Sequence, residues 1–184
     1  TLVAILTKNR KKMKQIYLLI LLLISQLSIS QSTNDLDIKN GFRHFKFGSS
    51  PLSIKDIVKN ESNPKGNPNI TSYKYIGSKI DYVSYAKVKD ITLMFFKNKL
   101  MGIGVNFEEF SQNDYDKVLS KLENSYGRKW VKPTYEENSN VINGAVWAGK
   151  AVILELFRYN DSYHPGHIYV YDKKLDKETY IDEF

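Results

Sequence analysis

The middle of the chain alternates hydrophobic and polar residues with a period of two, which is typical of β-strands that bury one face. Short polar turns interrupt the alternation and divide this segment into consecutive strands of a meander. We expect four strands there, at residues 73–76, 82–88, 91–96 and 101–107.

The last two of these strands form a predicted hairpin around residues 97–99. Alternate apolar side chains would line its buried face: Ile91, Leu93, Phe95, Met101, Ile103, Val105 and Phe107. Gly102 and Gly104 fall on the opposite face. Because they lack side chains, we expect a helix or neighbouring strand of the same domain to approach closely there.

Apolar residues spaced by three or four predict two helices. The longer helix begins at a cap formed by Asn113 or Asp114, ends at Gly127, and presents one apolar face: Tyr115, Val118, Leu119, Leu122 and Tyr126. The shorter helix is capped by Ser50, has Pro51 at its first position, and shares Ile54, Ile57 and Val58 on one face.

Strand character also surrounds these helices. Phe42, Phe45 and Phe47 give a short aromatic strand, and residues 60–69 form a polar loop. Four more strands follow the longer helix, at residues 130–135, 141–147, 151–158 and 167–171.

The predicted fold class is α+β. A short helix followed by antiparallel strands occurs twice, over residues 42–110 and 111–175, which indicates two helix-plus-antiparallel-sheet halves related by a pseudo-repeat. We assign residues 41–184 to a single domain, preceded by a polar lead-in at 31–40.

The first thirty residues have the order of features of a secretory signal peptide. A basic stretch precedes the uncharged run 16–24, which is shorter than the roughly 20 residues that a membrane span needs. Ser28 and Ser30 supply the small residues that a signal peptidase requires. We therefore predict cleavage between Ser30 and Gln31.

This leader predicts a periplasmic or secreted protein that keeps no membrane anchor after cleavage. The alternative is a permanent N-terminal anchor that counts residues 25–29 as part of the span. Because Met13 lies inside the basic stretch, we also hypothesise that it is the natural start and that residues 1–12 are not native.

The net charge is much smaller once the leader is counted separately from the domain. The whole chain carries a net charge of +7, but residues 1–30 hold five basic and no acidic residues, which leaves a net charge of +2. A nearly neutral domain without a concentrated basic face does not indicate a nucleic-acid partner. The chain has no cysteine, so neither disulfides nor a lipid-bearing cysteine are available.

His164 and His167 are the candidate metal ligands, because two imidazoles on either side of a Pro-Gly turn could converge on one ion. A catalytic zinc usually needs three protein ligands, and His44 is remote in sequence. The alternative is an ordinary turn between two strands. We assign no cofactor and no metal site.

Other signs of catalysis are weak in this sequence. The chain has no nucleophilic cysteine, no nucleophile elbow and no phosphate-binding loop. The adjacent carboxylates Glu108-Glu109 and Glu136-Glu137 point to opposite sides of an extended backbone, which favours solvated turn charges. We assign no catalytic residue and expect a protein that is not an enzyme.

Tyrosine is the remaining unusual feature, and it concentrates on the predicted strands: Tyr73, Tyr75, Tyr82, Tyr85, Tyr159, Tyr163, Tyr169 and Tyr171. Tyrosine can border a core with its hydroxyl in water, or it can line a surface that binds a partner or a glycan. The sequence leaves both alternatives open.

Two short motifs carry a resemblance to known proteins: Phe47-Gly48-Ser49-Ser50-Pro51 before the shorter helix, and residues 122–127 at the end of the longer one. With the leader, they make the chain similar to small, functionally uncharacterised exported proteins of Bacteroidetes-type bacteria. The layout also resembles, more distantly, the β-lactamase-inhibitor-protein and SmpA/OmlA lipoprotein group. That resemblance implies action through protein contacts.

The function we expect is that of an exported, non-catalytic binding domain of the bacterial cell envelope, with an envelope or secreted protein as partner. Two alternatives stay open. One is a metal-dependent or other hydrolase that uses His164 and His167, and the other is a small-ligand carrier with an aromatic-lined concavity.

Overall fold

The fold is taken from a computed structural model that describes residues 35–60, 67–135 and 139–181. The predicted leader, its cleavage point between Ser30 and Gln31, and the Glu136-Glu137 pair lie outside these residues. Within them, no helix has the length and the apolar content needed to cross a membrane.

The described residues form a mixed structure dominated by antiparallel strands. The strands are β1 (Gly41–Phe42), β2 (Phe45–Lys46), β3 (Ile57–Lys59), β4 (Ile70–Tyr75), β5 (Tyr82–Val83), β6 (Ala86–Phe96), β7 (Lys99–Phe107), β8 (Val141–Ala148), β9 (Val152–Tyr159) and β10 (Gly166–Asp172). Residues 35–39 are helical (α1). The other helices are α2 (Gln112–Tyr126) and α3 (Lys173–Ile181). The expected α+β class is confirmed.

Most strands belong to one sheet in the order β3-β4-β6-β7-β10-β9-β8, with β5 paired to β6. All of these pairs are antiparallel. One meander runs from β3 to β7 and the other from β8 to β10, and the two meet where β7 pairs with β10. A strand from the middle of the chain, β7, therefore lies beside β10, the last strand, at the centre of the sheet.

The sheet has two unlike faces. One, which we call the core face, packs against α2 and residues 35–47 through a large hydrophobic cluster. Leu93, Ile103, Leu154 and Ile168 are 0% exposed there. The other, which we call the open face, is covered at one end by α3, whose Leu175 packs against Ile70, Phe96 and Met101.

Several predicted elements are confirmed. The β6–β7 hairpin buries Ile91, Leu93, Phe95, Ile103, Val105 and Phe107 in one cluster, and β8, β9 and β10 lie where strands are expected. Helix α2 ends at Gly127, as predicted. Its N-cap is Ser111 rather than Asn113 or Asp114, and Asp114 completes a capping box with that serine.

Met101 lies on the face opposite to the one predicted. The register of β6 and β7 shifts between Met94 and Phe95. An extra residue at such a bulge reverses the side to which the neighbouring side chains point. Met101 consequently joins Leu175 and Phe96 on the open face, while Leu100 joins the core cluster.

The prediction of the shorter helix is wrong beyond its first turn. Ser50 accepts a hydrogen bond from Leu52 N and Pro51 starts the turn, as predicted, but only the 3₁₀ helix Pro51–Ser53 forms. The chain then turns at Asp56, which has φ 57, and enters β3. In the described residues the first half thus has no α-helix after Ser50, and the pseudo-repeat stays a prediction.

The strand predicted at residues 130–135 is also wrong, because only an isolated bridge between Val131 and Val146 forms there. Residues 35–39 are helical instead of a loose lead-in: Leu36 is 1% exposed, and the Asp37 carboxylate accepts hydrogen bonds from the backbone of residues 150–152. Helix α3 was not foreseen. It begins where Asp172 accepts hydrogen bonds from the N–H groups of Lys174 and Leu175.

Candidate functional site

The open face carries the most distinctive surface among the described residues. Beside the part covered by α3, ring-bearing side chains of β9 and β10 lie next to one another on it. We call these residues the aromatic face: Phe157, Tyr159, His167, Tyr169 and Tyr171. All five are half-buried, between a closed core and a free surface.

The alternation of two adjacent strands produces this arrangement. On β10 His167, Tyr169 and Tyr171 point to one side, while Ile168 and Val170 point into the core. The register places His167 opposite Phe157 and Tyr169 opposite Glu155. Because both strands pair over their full lengths, the rings are fixed to a rigid backbone.

The rings contact one another along and across the strands. His167 lies 5.4 Å from both Phe157 and Tyr159, measured between ring centroids. Tyr169 and Tyr171 are stacked at 5.2 Å. Such contacts hold the aromatic side chains in place. Binding of a partner therefore costs less side-chain entropy here than it would on a mobile surface.

The neighbouring strand β7 has glycines, which carry no side chain, beside Tyr169 and Tyr171. Gly104 pairs with Tyr169 and Gly102 with Tyr171. A Cβ atom built on Gly102 would lie 2.6 Å from the Tyr169 hydroxyl oxygen, so Tyr169 lies across the position that a side chain would occupy. The predicted close approach at this glycine is confirmed, and the approaching group is a neighbouring strand.

Burial changes the acid–base properties of this face. It lowers the pKa of His167 to about 4, so the imidazole is neutral near pH 7. Burial, together with the charge of Glu155, raises the pKa values of Tyr159 and Tyr171 to about 12. The rings therefore present neutral hydrogen-bonding groups beside apolar surface.

Glu155 is the acidic residue of this surface. Desolvation raises its pKa, the nearby charge of Asp176 adds to that effect, and a hydrogen bond from Tyr171 lowers it. The Tyr171 hydroxyl oxygen is 3.4 Å from Glu155 Oε1. A partly desolvated carboxylate next to a second carboxylate would be stabilised by an incoming cation.

The two candidate metal ligands lie in unlike surroundings. His164 is on an exposed turn, with Nδ1 3.7 Å from Asp161 Oδ2. His167 lies on the sheet among the rings of Phe157 and Tyr159. In the described ranges, no group of three His, Cys, Asp or Glu side chains is placed to hold a metal ion.

The other singled-out residues are distributed over the surface and the core. Glu108 pairs with Lys87 at 2.6 Å, and both side chains are exposed. Of the eight tyrosines, Tyr75 is buried, Tyr73 packs against the core, and Tyr82, Tyr85 and Tyr163 are more than half exposed. Only Tyr159, Tyr169 and Tyr171 meet on one surface.

Sequence reasoning missed Phe157 and Glu155 as members of this surface. The alternation over residues 151–158 contains the signal, because Leu154 and Leu156 point into the core and their neighbours must point away. The pairing of β7 with β10 joins segments about sixty residues apart and left no local signal.

Comparisons with known proteins add no relative. Neither a protein-family model, nor a curated protein, nor a solved structure matches the chain at a significant level.

Proposed function

We propose that the chain is an exported, non-catalytic binding domain of the bacterial cell envelope that engages a protein partner through the aromatic face. The half-buried ring cluster of β9 and β10 is the observation that carries this proposal. Aromatic residues on a rigid support are the residues that most often anchor a protein partner.

The chemistry of the aromatic face indicates which kind of partner would bind. Rings of Phe157 and Tyr159 offer apolar contact, and Glu155 with Asp176 offers a negative site beside them. The complementary partner is a segment that presents an apolar side chain next to a lysine or arginine. The cation would pair with Glu155 as the apolar side chain packs on the rings.

The location of the protein and its resemblance to known proteins are part of this proposal as well. The leader supports export to the periplasm or the medium. The likeness to small exported proteins of Bacteroidetes-type bacteria, and to the group that acts through protein contacts, agrees with a binding role. We also propose that the two meanders derive from the two halves of a pseudo-repeat.

The hydrolase alternative receives less support. The His167 side chain makes no hydrogen bond within the described residues, so no carboxylate orients it as a general base. His164 lies on an exposed turn and does not contact His167.

A pull-down from the native envelope fraction tests the proposal. The double variant Tyr159→Ser and Tyr171→Ser removes two rings of the aromatic face, and we expect it to lose most of the captured partner. The matched control, Tyr85→Ser with Tyr163→Ser, makes the same chemical change at positions 73% and 77% exposed. Equal capture by both variants, with unchanged thermal unfolding, would reject the aromatic face.

The charge of Glu155 can be tested in the same assay. We expect Glu155→Gln to weaken capture and to reduce its dependence on salt, because the partner's cation would lose its counter-charge. Capture that does not respond to this substitution would remove the lysine or arginine from the description of the partner.

A further inference from the structure

A concave surface lies on the side of the sheet opposite to the aromatic face. It is a cavity of about 330 Å³ between α2 and the β1–β2 hairpin. Its apolar wall includes Phe42, Val83 and Leu122, and its rim carries four cations: Lys39, Arg43, Lys46 and Lys121. No acidic residue lines it within the described part of the chain.

Backbone contacts hold three of these cations in position. Lys46 Nζ donates to Lys39 O at 2.6 Å, and Lys39 Nζ donates to Ser125 O at 3.3 Å. Arg43 donates to Tyr82 O at 3.3 Å. Carbonyl oxygens satisfy part of the hydrogen-bonding capacity of these groups but leave their positive charges uncompensated.

Aromatic rings position the same groups further. Lys39 Nζ lies 4.2 Å from the ring centroid of Tyr126, at the end of α2. The guanidinium carbon of Arg43 lies 6.0 Å from the ring centroid of Phe42, in the wall of the cavity. Among the described residues, none of the four cations forms an ion pair with a carboxylate.

A nearly neutral domain would be expected to mix its charges, so four cations around one apolar hollow with no carboxylate partner among the described residues need a physical reason. Their mutual repulsion is relieved when an anion enters. The apolar wall adds a second requirement, since it gains only from contact with a nonpolar group.

We infer that this cavity binds a small molecule with an anionic group, phosphate or carboxylate, on a short apolar body. The volume lies at the lower end of the range for small-molecule sites, which excludes large ligands. Lysine ammonium groups act as point charges without fork geometry, so a phosphate and a carboxylate can both satisfy them. This site is independent of the aromatic face.

Calorimetric titration of the purified protein with octyl phosphate tests the inference. We expect saturable binding with Kd below about 1 mM. Octanoate should bind too, whereas octanol and inorganic phosphate should each bind at least about tenfold more weakly, because each lacks one of the two complementary parts.

Matched variants show whether the cavity is the site. Arg43→Gln with Lys121→Gln should weaken octyl phosphate at least about tenfold, since two contacts to the anion are lost. Lys117→Gln with Lys129→Gln removes the same charge from exposed positions that do not line this cavity, and should change Kd by less than about twofold.

Three results would overturn the inference. One is the absence of saturable octyl phosphate binding by the unmodified protein. Another is equal affinity for octyl phosphate and for octanol or inorganic phosphate. The third is equal weakening by the two double variants, which would indicate a general response to net charge. Pull-down through the aromatic face does not depend on any of these results.

Discussion

At the scale of single residues, Gly102 shows how an absent side chain shapes the aromatic face. Tyr169 lies across it, and a Cβ there would also come 3.0 Å from Met94 Cε. Gly104, two residues along the same strand, leaves 3.9 Å to its nearest neighbours. The two glycines are therefore a matched pair on one strand and one face.

We expect Gly102→Ala to lower the free energy of unfolding by about 1–3 kcal/mol, because Tyr169 must leave its place in the ring stack. Gly104→Ala should leave it unchanged or raise it by up to about 1 kcal/mol, as alanine suits a strand better than glycine. Urea denaturation of the two variants measures both. Equal effects would mean that Tyr169 is not held where the structure places it.

His167 gives the aromatic face a pH dependence. Its pKa is lowered by burial from 6.5 to about 4, so between these values the unfolded chain binds more protons than the folded one. The contribution of this residue to the free energy of unfolding is thus fully present above pH 6.5. It decreases as the pH falls towards 4, by at most about 1.4 kcal/mol per pH unit. Glu155, whose pKa is raised, acts in the opposite direction.

Comparison with His167→Gln isolates the histidine, since the other titrating groups are common to both proteins. We expect the variant to lose less stability than the unmodified protein between pH 6.5 and pH 4 in urea denaturation. Parallel curves would show that the imidazole is not desolvated. An NMR titration of the His167 ring gives the same answer directly.

Residue-level prediction from the sequence succeeded where local alternation decides the outcome. The opposite orientations of Ile103 and Gly102 follow from the period of two. Met101 was misplaced because a bulge reverses that period locally, and no residue type announced the bulge. The burial of His167 depends on the rings of another strand, which its own neighbours do not specify.

At the scale of elements, α2 depends on its N-terminal capping box. Ser111 Oγ accepts from Asp114 N at 3.2 Å, and Asp114 Oδ2 accepts from Ser111 N at 3.1 Å. Asn113, which the sequence also offered as a cap, lies inside the first turn and is exposed.

Replacing the cap should have a measurable cost. We expect Ser111→Ala to lower the free energy of unfolding by about 1 kcal/mol, since N–H groups at the helix start lose their acceptor. Asn113→Ala should change it by less than about 0.5 kcal/mol. Thermal unfolding followed by circular dichroism separates the two, and a larger effect at Asn113 would contradict the assigned cap.

The two helical predictions differ in outcome for a physical reason. Helix α2 has a long apolar face that the sheet covers, so tertiary packing supports the local pattern. The turn after Ser50 has only a start signal, and its β-branched residues Ile57 and Val58 instead pair with Tyr75 and Lys74 of β4. A good cap begins a helix but does not extend it without packing.

At the scale of the whole molecule, Asp37 joins the start of the described chain to the turn between β8 and β9. Its carboxylate accepts hydrogen bonds from the N–H groups of Lys150, Ala151 and Val152, at 2.7, 2.9 and 3.0 Å. Gly149 makes room for it, because a Cβ there would collide with Asp37 Oδ1.

We expect Asp37→Ala to lower the free energy of unfolding by about 1–3 kcal/mol and to expose the peptide bonds near residue 37 to protease. Asp81→Ala is the control, since that exposed carboxylate makes no hydrogen bond within the described residues. Resistance to protease equal to that of the control would show that Asp37 does not hold the N-terminal segment in place.

The two faces of the sheet differ in what covers them. The core face is closed by α2 and residues 35–47, whereas α3 covers one end of the open face and Tyr135 packs against Phe157 on it. Individual strands and their inward residues followed from the sequence. The aromatic face did not, because it needs the β7–β10 pairing and the register of β9 against β10, which join separate meanders.

Photo-crosslinking in the native cell tests whether a partner binds at the aromatic face. A photoreactive phenylalanine analogue would replace Tyr159 on the aromatic face or, as the control, Tyr163 on the exposed turn nearby. We predict one discrete adduct of higher mass from position 159 and none from position 163. The same adduct from both positions, or an adduct from position 163 alone, would contradict binding through the aromatic face.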